Sequence, residues 1–305
     1  MDRKMRVDVI MPSYGHAAFL REAIGSVIAQ AHTGWRLFVQ DDLSPDNSYA
    51  IVHEFDDERI VTGRNETNLG TYATQQIALE KGNAPYVSVI NSDDVWHPKK
   101  LARQLALLEE TGAEFVYALG SRIDAKGNRL ADDQHGGWPR EPVQDLHPWL
   151  ARENRVLASS VVFRREGLRF DRCLRTSGDW VALLRASERG KAAFVDADLS
   201  SWRMHAANSF VRSPGQVSEE IAVRRAILAG YPAPSEARAE CARHLAALYA
   251  LRGETSRSVG AASRAAREEW SRASLRRFAA ALMGGGALRG GAPLIEKRPV
   301  PEVEL

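Results

Sequence analysis

Adjacent aspartates occur at two places in this chain where an apolar run stops. Tyr86-Val87-Ser88-Val89-Ile90 leads into Asn91-Ser92-Asp93-Asp94, and Leu37-Phe38-Val39-Gln40 leads into Asp41-Asp42, Ser44, Pro45 and Asp46. Carboxylates at the C-terminal end of a parallel strand are where an α/β sheet displays a divalent cation and the phosphates bound to it. A diphosphate leaves poorly until its charge is offset, and a cation held by carboxylates offsets it without moving a proton. Asp93 and Asp94 therefore point to a nucleoside diphosphate site, against the plainer reading of a solvated loop that caps a helix. Asp42 has the acceptor chemistry to take the imide N–H of uracil or thymine. Pro12-Ser13-Tyr14, where an earlier apolar run ends, offers a ring and backbone for a base to rest on. Both segments are also good turn chemistry. Asp179, after Ser177-Gly178, either caps a helix or deprotonates an acceptor hydroxyl, a role typically worth about 10²–10⁴-fold in rate. Trp180 beside it is a sugar platform or a core residue. In Ser201-Trp202-Arg203-Met204-His205, Arg203 offers a cation for phosphate and His205 a further metal ligand, although a lone histidine is more often structural.

The elements that must position these residues alternate along the first hundred positions. Strands are expected at Val7–Met11, Trp35–Gln40, Ile60-Val61 and Tyr86–Ile90. Helices are expected over Phe19–Ile28, near Ser48–Phe55 and over Tyr72–Lys81, the first from apolar positions at the 3, 4, 7 spacing. Strands separated by helices imply an α/β fold with a mostly parallel sheet flanked by helices. A helix at Lys99–Thr111 and a strand at Glu114–Ala118 follow. From Gly120 to Pro148 the chain is rich in Gly, Asp and Pro, which reads as loops and short hairpins. Ser159–Arg164, Ala193–Val195 and Ser200–Met204 read as short strands, and Trp180–Glu188 as a helix. Beyond Pro232-Ala233-Pro234 the composition turns to Ala and Arg. Helices are expected at Ala237–Leu251 and Ser256–Trp270 and near Leu275–Leu282, with a frayed tail from Gly284. This predicts a catalytic domain over 1–232, with a nucleotide-binding half at 1–118 and an acceptor half at 119–232. A C-terminal all-α helical extension with a flexible tail takes up 233–305.

A chain of 305 residues with a net charge of +2 and no Lys-rich run gives no reason to expect nucleic acid as a partner. Its two cysteines, Cys173 and Cys241, exclude a disulfide framework and a cysteine zinc site. Val7–Met11 carries a charge and stops at Pro12, so it reads as a strand and not as a signal peptide. No window approaches the ~18–20 apolar residues of a membrane span. The expectation is a cytoplasmic protein. Its Arg-rich C-terminal helices either cap the catalytic domain or contact a protein or the inner face of the membrane.

Taken in order, VDVIMPSYGHAAFLREAIGSVIAQ, WRLFVQDDLSPDNS, NLGTY, YVSVINSDDVWHPKKL, SGDWVALLRAS and SWRMHAANS resemble the family-2 inverting glycosyltransferases with the GT-A fold, over about residues 5–215. The resemblance implies a GT-A type, Rossmann-like sheet. It implies that Pro12, Tyr14 and Asp42, with Ser13 between the first two, hold the nucleotide base, and that Asp93 and Asp94 form the metal and ribose signature, Asp94 being the closer metal ligand. It places the catalytic base at Asp179 and a phosphate or metal contact at His205. The sequence departs from that pattern at Leu43, where Gly is usual, and at Ala73-Thr74-Gln75-Gln76, where Ala-Arg-Asn is frequent. The expected activity is that of a hexosyltransferase dependent on Mg²⁺ or Mn²⁺. It would move a sugar from a UDP- or dTDP-sugar to a hydroxyl of a glycan, lipid-linked sugar or protein. The alternative is a non-catalytic nucleotide-sugar-binding or scaffold protein on the same fold. A nucleotidyltransferase or dinucleotide oxidoreductase would need a Gly-rich phosphate loop after the first strand, and Pro12-Ser13-Tyr14-Gly15-His16 is not one.

Overall fold

Every position of Val7–Ser13 is buried, and an unbroken run of this kind belongs in the interior of a sheet covered on both faces. This is β1. The computed structural model describes residues 6–130, 138–205, 214–268 and 299–305. After β1 come α1 (Ala17–Ile28), β2 (Trp35–Asp41), α2 (Ser48–Val52), β3 (Ile60–Arg64), α3 (Thr71–Lys81) and β4 (Tyr86–Val89). They are followed by β5 (Val95–Trp96), α4 (Lys100–Thr111), β6 (Phe115–Ile123), β7 (Arg129–Leu130), β8 (Val143–Gln144) and α5 (His147–Leu150). Then come β9 (Val162–Arg164), α6 (Gly178–Arg189), β10 (Ala192–Arg203), α7 (Pro214–Gly230), α8 (Ser235–Leu251) and α9 (Thr255–Glu268).

The ten strands form one mixed sheet in the order β3-β2-β1-β4-β9-β6-β10-β5, with β7 on β6 and β8 on β10. Its first half is parallel, as expected. β1 pairs with β2 from Val7↔Trp35 to Ser13↔Asp41, and with β4 on its other side. This register brings the ends of β1 and β2 level, so the first aspartate pair and the Pro12-Ser13-Tyr14 turn emerge together. The second half is mixed because β9 runs antiparallel to both β4 and β6. Leu20, Ile24 and Val27 of α1 and Leu101, Leu105 and Leu108 of α4 belong to one core cluster with Val7, Val9, Met11, Leu37 and Val39 of the strands. Gly112, at φ +68°, ends α4 in the left-handed conformation that closes many helices.

Two of the departures from expectation, at β10 and α7, have a clear physical reason. β10 is one strand of twelve residues, where the sequence reads two short strands. Register shifts between Val195 and Ser200 carry the polar Asp196-Ala197-Asp198 stretch as a bulged region of the ladder. α7 is a whole helix in a stretch where the sequence analysis places no element, and its buried face mixes Val217, Ile221, Val223 and Ile227 with Ser218, Glu219 and Arg224. The Pro214-Gly215 pair looks like a turn, although Pro is welcome in a helix's first turn.

The chain divides into two compact units, Met1–Asp145 with Arg155–Asn208, and Leu146–Asn154 with Ser209–Leu305. α7 lies in the second unit, ahead of the 232/233 boundary read from composition. Within that unit, arginines expected at the surface serve the interior. Arg238 donates to the carbonyls of Ile227, Leu228 and Tyr231 at 2.9–3.3 Å, and Arg252 donates to Ser218 Oγ at 3.0 Å. The expected helix near Leu275–Leu282 and the tail from 284 to 298 lie outside the described residues. Among the described residues no helix is long and apolar enough to cross a membrane.

Candidate functional site

The turn after β1 and the turn after β2 are built on each other. Asp46 accepts hydrogen bonds from Ser48 N and Ser48 Oγ through Oδ1, and from Ala17 N, at the start of α1, through Oδ2. Ser44 Oγ accepts from Gly15 N and Ser48 Oγ from His16 N, both at 3.1 Å. The polar residues of Asp41-Asp42-Leu43-Ser44-Pro45-Asp46 therefore cap α1 from a distance, which its own N-terminal residues do not do. Asp41 is buried, with Oδ2 accepting from Ser44 N at 3.0 Å and lying 3.2 Å from Arg64 Nε.

Asp42 is the organised carboxylate of this edge. Its Oδ1 accepts from Asn65 Nδ2 and Leu69 N and its Oδ2 from Gly70 N, each at 2.8 Å. Asn65 is itself held through Gln40 and Lys81, with links of 2.7 and 2.6 Å. A carboxylate offers about four acceptor positions, so one further donor fits. Pro12 and Ser13 are buried, and Ser13 contributes its carbonyl to Asp42 N at 2.8 Å. The large apolar side chains left exposed among the described residues are Tyr14, Leu43, Leu69 and Leu130, and the first three belong to the segments that meet at Asp42. Leu43 has φ +61°, the only described non-glycine residue with positive φ. That conformation costs an L-residue roughly 1–2 kcal/mol.

The second aspartate pair splits. Asp94 has no exposed surface, and both its oxygens are occupied by protein donors. Oδ1 accepts from Arg203 N at 3.1 Å, and Oδ2 accepts from Asn91 Nδ2 at 3.1 Å and from Ser159 Oγ. Burial, and then the charge of Asp93, push its carboxyl well above the usual range, against those three hydrogen bonds. Asp93 faces the other way. Its Oδ2 lies 3.0 Å from His205 Nε2 and its Oδ1 3.9 Å from His16 Nδ1. One ligand atom from each of His16, Asp93 and His205 lies within 4.8 Å of the others, the one such group among the described residues. Burial lowers the His16 imidazole below its ordinary value, with Asp93 opposing and His205 reinforcing the shift, so it is neutral at pH 7, the state a metal ligand needs. Two imidazoles and a carboxylate fit a divalent transition cation such as Mn²⁺ better than Mg²⁺, which prefers oxygen.

Arg203, expected to contact phosphate, is engaged by the protein itself. Only 1% of it is exposed, and its guanidinium donates to the Asp93, Asp124 and Ala125 carbonyls and to Glu22. It fastens the aspartate loop to the turn after β6 and to α1. Asp179 sits half-buried in the first turn of α6, where a carboxylate suits the helix dipole. Tyr72 donates to its Oδ1 at 3.0 Å. Trp180 is buried in the core and offers no platform to a sugar. Sequence reading passed over His16, Asn65, Tyr72 and Ser159. His16 and Tyr72 stood in noted motifs, but all four touch the site through partners 23 to 189 residues away in the chain.

A protein-family model, glycosyl transferase family 2, matches residues 8–170. The chain is 34% identical over 129 residues to TuaG of Bacillus subtilis, a glycosyltransferase assigned to teichuronic acid biosynthesis, covering 42% of this chain and 51% of TuaG. It is also 34% identical over 111 residues to WfgD of Escherichia coli, named a UDP-Glc:α-D-GlcNAc-diphosphoundecaprenol β-1,3-glucosyltransferase, covering 36% and 44%. The chain thus spans about half the length of these curated relatives. Among solved structures, S. aureus TarS 1–349 in complex with UDP-GlcNAc has a TM-score of 0.68 at 16% identity, covering 93% of this chain and 89% of that one. The mannosyltransferase PcManGT of Pyrobaculum calidifontis, with GDP-Man and Mn²⁺, has a TM-score of 0.60 at 16% identity, covering 95% and 82%. At that identity the likeness speaks for the fold, and the architecture matches.

Proposed function

The chain belongs to glycosyl transferase family 2, and from that membership we propose a metal-dependent, inverting transferase that moves a sugar from a UDP- or dTDP-sugar to an acceptor hydroxyl. The observation that carries the reading is the arrangement at the strand ends, with the fixed carboxylate of Asp42 after β2 and the His16, Asp93 and His205 group around the loop after β4. Asp42 would take the imide N–H of the base through its remaining acceptor position, with Tyr14, Leu43 and Leu69 as the apolar surround. His16, Asp93 and His205 would hold Mn²⁺ or Mg²⁺, with Asp93 and not Asp94 as the carboxylate ligand. A cation bound there offsets charge on the diphosphate and makes the nucleotide a better leaving group.

Asp179 takes the proton from the acceptor hydroxyl. The acceptor oxygen bonds to the anomeric carbon from the face opposite the nucleotide, and the carbon–oxygen bond to the diphosphate breaks with its electron pair. One displacement inverts the configuration, and no covalent enzyme intermediate is involved. A uridine donor and a lipid-linked glycan acceptor are supported by WfgD, whose name carries both. The teichuronic acid assignment of TuaG supports a role in cell-surface glycan synthesis, and an undecaprenol-linked acceptor like that in WfgD's name would bring the reaction to a membrane surface. The test is calorimetric binding of UDP, dTDP and GDP, each with Mn²⁺ and with EDTA. Metal-dependent binding of a pyrimidine diphosphate, lost in Asp42→Ala and Asp93→Ala, is expected. Absence of binding by any of the three would overturn the reading and leave a fold without the chemistry.

A further inference from the structure

Resting on the reading of Asp179 as the base, we propose that Tyr72 is its positioning residue, locking the catalytic carboxylate to the same short segment that holds Asp42. α3 begins at Thr71, and the two residues before it, Leu69 and Gly70, give their N–H groups to the Asp42 carboxylate at 2.8 Å. Two residues later Tyr72 OH reaches Asp179 Oδ1 at 3.0 Å. One stretch of four residues thus touches the carboxylate assigned to the base of the donor and the carboxylate assigned to the acceptor proton.

The tyrosine is held for this purpose. Its ring is 6% exposed and stacks on Phe170 at 6.5 Å and 25°, and the Phe170 N–H is in turn bonded to Gln76 of α3 at 2.8 Å. A Cβ on Gly178 would lie 2.4–2.7 Å from Tyr72 ring carbons, so glycine is required there for α6 to begin against the ring. The residue after that glycine is Asp179. Close approach of the two helices and the length of the phenol together fix where the carboxylate sits.

The hydroxyl has a second acceptor, the Thr176 carbonyl at 3.3 Å. While Asp179 is ionised the phenol gives its proton to Oδ1. Once Asp179 has taken the proton of the acceptor hydroxyl, the phenol can turn its own proton to Thr176 and accept from the protonated carboxyl. Both protonation states of the base therefore have a partner, and the carboxyl keeps its place through the proton transfer. No net proton is gained or lost by Tyr72 in either step.

Tyr72→Phe keeps the ring against Gly178 and Phe170 and removes only the hydroxyl. The first readout needs no acceptor. In protein labelled with ¹³C at the aspartate carboxyl carbons, the Asp179 resonance is identified by its loss in Asp179→Asn. It is expected to move in Tyr72→Phe while UDP affinity in Mn²⁺ stays within about twofold. Release of UDP from UDP-GlcNAc should fall about tenfold in kcat with KM nearly unchanged, the scale of one lost hydrogen bond. Gly178→Ala, which drives the ring aside with its hydroxyl intact, should move the same resonance. An unmoved resonance in both variants would overturn the proposal. Turnover that survives in Asp179→Asn would instead overturn the base assignment, while the resonance still decides whether Tyr72 holds the carboxyl.

Discussion

Exchanging the roles of Asp93 and Asp94 can be tested by removing each in turn. In Asp94→Ala the Arg203 N–H loses its acceptor in a site with no exposure. A fixed, buried backbone donor left unpaired costs about 1–3 kcal/mol. Asn91 Nδ2 and Ser159 Oγ also lose their partner, but they are side chains that can turn, and each is worth nearer 0.5–1.5 kcal/mol. The total comes to roughly 2–6 kcal/mol, and the relief of burying an unfavourable charge pulls it to the lower part of that range. For a unit of this size that is a fall of roughly 5–15 °C in Tm. Asp93→Ala deletes a side chain at the site and should shift Tm by a few degrees at most. Its effect belongs to metal binding, since it removes the carboxylate from the group around His16 and His205. Scanning calorimetry and Mn²⁺ titration on both variants separate the two. At 10 °C Asp94→Ala should still bind Mn²⁺, weakened by no more than about 10–100-fold for a residue behind the ligands, while Asp93→Ala should not bind at all. An Asp94→Ala protein that melts like the wild type yet has lost Mn²⁺ would refute the assignment.

Two further outcomes follow from side chains that stand apart from the reaction. Lys100 has no exposed surface, donates to Ser88 Oγ at 2.9 Å and lies 4.0 Å from the centre of the Trp96 ring, and burial lowers its ammonium well below the usual range. Between that lowered value and 10.5 the unfolded chain holds the extra proton, so stability rises with pH across this window. Lys100→Met should therefore be more stable than the wild type by about 1–3 kcal/mol in denaturant at pH 7, with the gap closing toward pH 10, and a gap of constant size would contradict the account. Leu43→Gly should relieve roughly 1–2 kcal/mol of left-handed strain and lose about 0.5–1 kcal/mol to the freer unfolded chain, leaving stability unchanged or raised by up to about 1.5 kcal/mol. UDP affinity in that variant should fall several-fold, and unchanged affinity would remove Leu43 from the base site.

Much of the fold was legible because interior parallel strands write themselves as continuous apolar runs. Val7–Met11, Leu37–Gln40 and Tyr86–Ile90 could be placed from composition alone, and α1 from its apolar spacing. What failed to show was structure whose burial is not apolar. α7 hides behind Glu219 and Arg224, which are buried inside its own unit, and β10 hides behind the bulge that carries Asp196 and Asp198. Hydrophobic periodicity carries no signal in either case, since the buried face is partly polar in one and out of register in the other.

The site was legible as residue types and not as roles, and the Asp93-Asp94 pair gives the reason. The pair sits in a turn, with Asp94 N donating to the Asn91 carbonyl at 3.1 Å, and the two carboxylates leave that turn toward different partners. Which is which depends on where the buried donors stand. Here they are Arg203 N, from the far end of β10, and Ser159 Oγ, from the segment before β9. Both approach Asp94, so Asp93 is left to face His16 and His205. The same strand end explains Arg203. A guanidinium that donates to the Asp93 carbonyl, two turn carbonyls and Glu22 has few N–H groups left for a phosphate. Those bonds instead fix the Asp93 loop, and two residues further on His205 Nε2 meets Asp93 Oδ2 at 3.0 Å.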